Sequence, residues 1–217
     1  AADPRGAADP RGAADPRGVA DPRGIADPRG AFDPRGPFDP RGPFDPRGPL
    51  DPRAWQPVVW GSAAAWYGYT GSPYSYGYGE TIYYKDGSVY YGDQAVATEE
   101  KYYDQATQIA ASGEAPQNEE WLSLGVFAIA GEGQATVAQP EKIIQLAVNR
   151  EGFISGNFYD ALSGQTTAVS GAIDKKSQRA AIRPEGNASV VVEAGIYDLT
   201  KDQAPVLVHF GKDRHEE

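Results

Sequence analysis

The chain contains no cysteine and no methionine. Without cysteine it can form no disulfide, thiol nucleophile or cysteine-ligated metal site. Because position 1 is not methionine, we expect a processed chain from which any signal peptide has been removed. No apolar run approaches the length of a membrane-spanning helix, so we expect no membrane span.

Basic residues are scarce relative to acidic ones. The chain has 20 Lys and Arg against 30 Asp and Glu, and its formal net charge is −10. The first 53 residues hold nine Asp and nine Arg and are neutral, so the whole excess lies on the other 164 residues, the body. A body of this charge lacks the basic patch that nucleic acids and anionic membranes require, and we expect neither partner.

Residues that carry chemistry are also few. The two histidines, His209 and His215, lie near the end of the chain, and we expect one to be satisfied in a strand and the other solvated. The nucleophile elbow, the phosphate-binding loop and the EF-hand are all missing. The sequence does not exclude a pair of carboxylates for glycoside hydrolysis, because such pairs are defined by their distance in space and not by their spacing in the sequence. We predict that the protein is not an enzyme and holds no metal or cofactor.

In place of these features, residues 1–53 repeat one hexapeptide, x-x-Asp-Pro-Arg-Gly, nine times, and the last copy lacks its glycine. Regular proline excludes an α-helix and disfavours a central strand. Collagen needs glycine at every third position, which the repeat does not supply. A left-handed β-helix needs bulky aliphatic residues that the early copies lack. The stem is therefore either an extended, polyproline-like rod or a disordered tether.

Polyproline geometry has three residues per turn, so each hexapeptide makes two turns and every repeated residue returns to the same edge. The rod would carry an apolar stripe with the prolines, an Asp/Gly edge and an Arg edge, and would reach on the order of 160 Å at about 3.1 Å per residue. Linkers seldom keep so strict a period, which favours a stem ordered by other copies or by attached sugar. The first two positions of the hexapeptide change along the stem from alanine to bulkier residues in the copies nearest the body. The bulky residues at the second position are the candidate assembly anchors: Phe32, Phe38, Phe44 and Leu50.

Residues 54–217 are predicted to form one mainly β domain. An aromatic segment at 54–97 includes a hairpin with Asp86-Gly87 in its turn. A single helix follows at 98–112, capped by Thr98 and ended by Gly113. An antiparallel meander, closed as a barrel or packed as a sandwich, occupies 121–210, with an open edge able to accept a strand from another chain. Its predicted strands are 121–130, 143–149, 153–159, 165–174, 178–183, 189–198 and 205–210.

The aromatic segment is the candidate binding region. Its rings can stack on sugar or on another subunit, or they can simply pack in the core. The candidate residues are Trp55, Trp60, Trp66, Tyr67, Tyr69, Tyr74, Tyr76 and Tyr78.

Covalent sugar is expected at two kinds of site. Asn187-Ala188-Ser189 matches a glycosylation sequon in a predicted turn. The stem has no Ser, Thr or Asn, so sugar there would need hydroxylated proline. The candidate prolines are Pro4, Pro10, Pro16, Pro22, Pro28, Pro34, Pro40, Pro46 and Pro52.

Several stretches of the body, taken together, resemble secreted proteins of planctomycete-type bacteria that pair a repeat-rich N-terminal tract with one β-rich domain. The matching stretches are WQPVVW at 55–60, VYYGD at 89–93, WLSLGVF at 121–127, DKKSQRAA at 174–181, GIYDLT at 195–200 and HFG at 209–211. The resemblance implies no catalytic residues. It implies one more apolar strand after residue 211, where this chain has a polar run. The stem is similar in composition to those of glycan-coated extracellular fibrils.

These features predict an extracellular structural subunit, carrying glycans, that forms an open filament. The stem of one copy would dock on the body of the next, because head-to-tail contacts that do not close generate fibres. The alternative is a carbohydrate-binding or adhesion module displayed on a passive stalk.

Overall fold

The computed structural model of the chain describes residues 58–112, 120–131, 140–212 and 214–216. Several predicted features lie outside these ranges. They are the stem with its four anchors and nine candidate prolines, Trp55, and the predicted helix terminator Gly113.

The described part is mainly β, as predicted. In chain order its elements are α1 (Trp60–Tyr67), β1 (Ile82–Lys85), β2 (Ser88–Tyr91), β3 (Gln94–Thr98), α2 (Glu99–Ala111), β4 (Trp121–Ala128), β5 (Lys142–Asn149), β6 (Phe153–Asp160), β7 (Gln165–Asp174), β8 (Arg179–Pro184), β9 (Val190–Gly195), a 3-10 turn (Asp198–Thr200), β10 (Val206–Phe210) and β11 (His215–Glu216).

The large sheet has eight antiparallel strands in the order β11-β10-β9-β8-β7-β6-β5-β4, which confirms the predicted meander. Among the described residues β4 pairs only with β5, and β11 pairs only with β10. The ladder is therefore a single open sheet in this part of the chain, where we had expected a barrel or a sandwich. The 3-10 turn nevertheless contacts β4, so the sheet curves around its core.

The main hydrophobic core lies on one face of the large sheet. Alternate residues of β5, such as Ile144, Leu146 and Val148, point into it, as the period of two in a strand requires. Ala63 of α1 and Leu199 of the 3-10 turn close it from the other side. Each aliphatic side chain buried here contributes roughly 1.5–3 kcal/mol to folding.

The opposite face of the large sheet receives α2, which packs against β7, β8 and β9. The predicted helix is confirmed, and the Thr98 side chain accepts a hydrogen bond from Lys101 N at 3.3 Å, as an N-cap should. Tyr102, Ala106 and Ala110 form its buried stripe.

The small sheet has the order β1-β2-β3. The predicted hairpin between β1 and β2 is confirmed, with φ of +50° at Asp86 and +74° at Gly87 in its turn. Its inward face packs Ile82 and Val89 with Tyr102 of α2 and Leu207 of β10, forming a second core. Sequence reasoning did not find β3.

Two further predictions need correction. We expected one helix, but α1 is a second, formed by an alanine-rich run and ended by Gly68 at φ +66°. We expected a strand over 189–198, but β9 ends at Gly195 and Asp198 begins a 3-10 turn, where its carboxylate has a structural role described below.

Candidate functional site

Seven of the eight candidate aromatics lie in the described residues. Trp60, Trp66 and Tyr67 belong to α1. The other four are Tyr69, Tyr74, Tyr76 and Tyr78, which follow α1 in residues 69–78, here called the tyrosine segment. Apart from one isolated bridge at Tyr78, this segment has no regular structure of its own, so its shape must come from tertiary contacts.

Gln178 holds the first half of the tyrosine segment. Its side chain is buried, and it donates hydrogen bonds to the Tyr69 hydroxyl and to the carbonyl of Ser72, the latter at 3.2 Å. Its Oε1 accepts from the backbone N of Tyr74 at 3.1 Å. Gln178 itself has φ of +62°, an uncommon value outside glycine, in the turn between β7 and β8. One strained turn residue thus fixes three points of the segment.

Asp198 holds the second half. Its carboxylate is fully buried, and its Oδ2 accepts from the backbone N of Tyr76 at 2.7 Å. Its Oδ1 accepts from Ser75 Oγ and from Lys201 Nζ, each at 2.7 Å. A Cβ on Gly195 would lie 2.9 Å from Tyr76 Cδ2, so only glycine permits this approach. The buried charge is matched by a cation and two further donors, as a buried carboxylate requires.

The rings of the tyrosine segment form a ladder. Tyr74 stacks on Tyr91 of β2 at 5.0 Å and meets Tyr76 at 4.9 Å, and Tyr76 lies 6.1 Å from Tyr78. Tyr76 and Tyr78 are each 6% exposed, which places these two candidates in the core, whereas Tyr74 remains open to solvent. Burial raises the pKa of Tyr76 and Tyr78, and burial followed by the contact with Tyr91 raises that of Tyr74 to about 12.

Trp60 and Tyr69 meet in a separate aromatic corner. The Trp60 ring lies edge-on to Tyr69 at 5.9 Å and to Tyr197 at 5.3 Å, and Lys201 Nζ sits 4.3 Å from the centre of the Tyr197 ring. All three rings are half-buried. Partly exposed rings beside an amine are a typical composition for a sugar or peptide contact.

The last two aromatics of α1 are covered by cations from neighbouring turns. Arg150 Cζ lies 4.0 Å above the ring of Trp66, and Lys175 Nζ lies 5.5 Å from the centre of the Tyr67 ring. Burial raises the pKa of Tyr67. These contacts fasten α1 to the large sheet.

Beneath the second core lies a buried ion network that sequence reasoning did not find. Both carboxylate oxygens of Glu193 on β9 are engaged: Oε2 accepts from Arg179 Nε at 3.0 Å and from Arg179 Nη2, and Oε1 is 2.7 Å from His209 Nε2. Exposure is 0% for Glu193, 5% for Arg179 and 3% for His209. These residues are 14 and 16 positions apart on three adjacent strands, a spacing that matches no short motif.

Arg179 also binds the helix. Its Nη1 donates to Gln105 Oε1 at 3.0 Å, and its guanidinium lies 3.9 Å from the centre of the Tyr102 ring. Burial has the largest single effect on the pKa of Arg179 and lowers it, but the Glu193 carboxylate acts together with Tyr102 and Tyr78 in the opposite direction, so the net shift is upward. Burial, followed by the negative charge of Glu193, raises the pKa of Tyr102 and Tyr84. The network thus ties α2 to the large sheet.

The outward face of the small sheet carries an aromatic pair outside the predicted set. Tyr83 and Tyr90 are cross-strand partners, and their rings stack with centres 5.4 Å apart and planes within 5°. Both are half-buried, and the neighbouring Val96 is 51% exposed. The signal was present in the sequence, since the two tyrosines stand at equal distances from the Asp86-Gly87 turn and alternate with the inward Tyr84 and Val89.

The sequon residue Asn187 is exposed, as predicted for a turn between β8 and β9. Its Oδ1 accepts from Ser189 N at 3.2 Å and from Ser189 Oγ at 2.7 Å. Its amide nitrogen therefore lies at the surface of the described body.

The described ranges hold no group of three or more His, Asp or Glu side chains suited to a metal. Nor does any helix of the described residues have the length and apolarity to cross a membrane. Comparisons with protein-family models, curated proteins and solved structures give no match.

Proposed function

We propose that this protein is a structural subunit of an extracellular filament, in which the stem of one copy docks on the body of another. The observation that carries the proposal is the repeat: nine copies keep Asp, Pro and Arg without exception while the two other positions vary. Invariance of this kind is expected of a surface that makes the same contact many times.

The body supports this role in two ways. Buried side chains fix the tyrosine segment at both ends, so the body presents rigid aromatic surfaces. Rigid surfaces lose little conformational entropy when a partner binds. In addition, β4 pairs with no second strand within the described residues, where Val58 N donates one hydrogen bond to Leu124 O, and the rest of this edge can receive an extended chain.

The anchors give the sharpest test. Replacing Phe32, Phe38 and Phe44 by Ser removes three apolar side chains of the stem and leaves its charge and proline spacing unchanged. We expect soluble monomers in analytical ultracentrifugation under conditions in which the parent chain sediments as polymer. A matched control replaces Ala2, Ala8 and Ala14 by Ser at the same repeat position. Polymers of normal length from the phenylalanine variant would refute the proposal.

A second candidate is a carbohydrate-binding or adhesion module on a passive stalk, favoured by the half-buried corner of Trp60, Tyr69 and Tyr197. The same variant separates the two. A module would keep its affinity for polysaccharide after the three phenylalanines are replaced, whereas a filament subunit loses assembly. Covalent glycans, proposed on Asn187 and the stem prolines, would raise the intact mass above the 23.2 kDa of the bare chain.

A further inference from the structure

We infer that the outward face of the small sheet is the dock for the stem, and that one Asp-Pro-Arg unit of a neighbouring copy lies across the Tyr83–Tyr90 pair. This inference rests on the proposed filament function and specifies its contact. It assigns a binding surface to two residues of the aromatic segment that were not among the candidate aromatics.

The face has the composition that a proline-rich segment needs. Aromatic grooves recognise polyproline helices because the ligand is already extended and loses little entropy on binding. Tyr83 and Tyr90 form one stacked unit, and exposed Val96 widens the apolar area beside it. Nothing among the described residues makes an aromatic contact with this pair, whereas Tyr84 on the other face stacks on His215 at 3.8 Å.

Charges at the two ends of the pair match the repeat. Lys85 extends the outward row beyond Tyr83, and Asp93 lies in the turn past the other end of β2. Both are exposed, and neither forms an ion pair within the described part of the chain. An Asp-Pro-Arg unit places an acid before the proline and a base after it. With proline on the tyrosines, the stem Asp faces Lys85 and the stem Arg faces Asp93, which also fixes the direction of the chain.

The occupant is the stem of another copy. The described chain begins at Val58, whose backbone N donates to Leu124 O on β4 at 3.3 Å. The small sheet instead adjoins β10 and β11, at the other end of the strand order. When each stem docks on the body of a neighbour, the contact is head-to-tail and leaves a free stem and a free dock at the two ends of the polymer.

The length of the repeat sets how many repeats of the stem one docked body spans. Six residues of polyproline helix advance about 19 Å, and each unit returns to the same orientation. A domain of this size is about 40 Å across, from its expected radius of gyration. A docked body therefore spans about two repeats, and the other repeats offer the same contact at equivalent positions along the stem.

Photo-crosslinking in the full-length protein tests the dock. A benzophenone-bearing phenylalanine replaces Tyr83 in one preparation and Leu162, which is 75% exposed in the β6–β7 turn, in a control preparation. Each is assembled from an equal mixture of ¹⁴N- and ¹⁵N-labelled chains. We expect crosslinks from position 83 to stem peptides, with mixed isotopes that show contact between copies, and few or none from position 162.

The possible outcomes distinguish a failure of the dock from a failure of the filament proposal. If filaments form but position 83 crosslinks no more stem than position 162, the dock lies elsewhere and the filament proposal stands. If stem crosslinks join only equal isotopes, the stem folds onto its own body and the inference is wrong. If no polymer forms at any concentration, the proposed function fails and the inference with it.

A double substitution, Tyr83→Ser with Tyr90→Ser, adds an independent measure. We expect association about tenfold weaker for each ring lost. Tyr83→Phe, which keeps the ring, should assemble normally. Normal assembly by the double variant would overturn the inference.

Discussion

The two faces of the small sheet carry the same residue type in different environments. Inward Tyr84 packs 6.2 Å from Tyr102 above the buried ion network, while outward Tyr83 contacts Tyr90 at the surface. Adjacent tyrosines of one strand thus belong to the core and to a candidate interface. The number of tyrosines in a segment therefore says little about its role; the parity of each position along the strand decides it.

The largest expected effect comes from removing the support of the inward face. Glu193→Ala would leave the buried Arg179 guanidinium without its carboxylate. We expect a loss of about 3–5 kcal/mol in the free energy of unfolding, measured by urea denaturation. The matched control is Glu120→Ala, which breaks an exposed pair with Arg150 and should cost less than about 1 kcal/mol. Equal losses for both would show that the network does not stabilise the packing of α2 on the large sheet.

Alkaline pH should act on the inward tyrosines. Burial raises the pKa of Tyr76, Tyr78, Tyr84 and Tyr102 above the ordinary value near 10. Because the folded state holds these protons more tightly than the unfolded state, their contribution to stability is complete below about pH 10 and is lost as pH rises through the folded values. The urea midpoint should therefore fall steadily above about pH 10. A midpoint independent of pH in this range would contradict the buried placement of the rings.

The smallest expected effects on stability come from removing the hydroxyl of an inward tyrosine or the rings of the outward pair. The buried hydroxyl of Tyr84 has no hydrogen-bond partner among the described residues, so Tyr84→Phe should leave stability unchanged or slightly raised.

Tyr83→Ser with Tyr90→Ser should cost about 1 kcal/mol or less, because a cross-strand pair contributes little to folding. Thermal unfolding of both variants tests this. A large loss from the outward pair would assign it to the core and remove it as a dock.

Much of the fold could be predicted because local signals agreed with it. The seven strands of the predicted meander, the hairpin at Asp86-Gly87 and the capped helix at Thr98 all have periodic or turn signatures. The helix α1 was missed because its alanine run is short and framed by aromatics and glycine. The strands β3 and β11 were missed because one is rich in alanine and the other has only two residues.

The candidate site could be predicted less well. The side chains of Gln178 and Asp198 reach tyrosine-segment atoms that are 104 to 123 positions away in the sequence. Glu193, Arg179 and His209 come together only because three adjacent antiparallel strands place them at diagonal positions on one face of the sheet. No spacing rule encodes such contacts. Only the outward Tyr83–Tyr90 pair was open to derivation, from its symmetry about the turn.

The most direct test of the account is the axial repeat of the assembled protein, measured by fibre diffraction or electron microscopy of the full-length chain. If stems of polyproline form run along the filament and bodies dock on their repeats, the axial spacing of bodies should be an integer multiple of about 19 Å. A spacing that bears no integer relation to the hexapeptide, or a solution of monomers at every concentration, would contradict it.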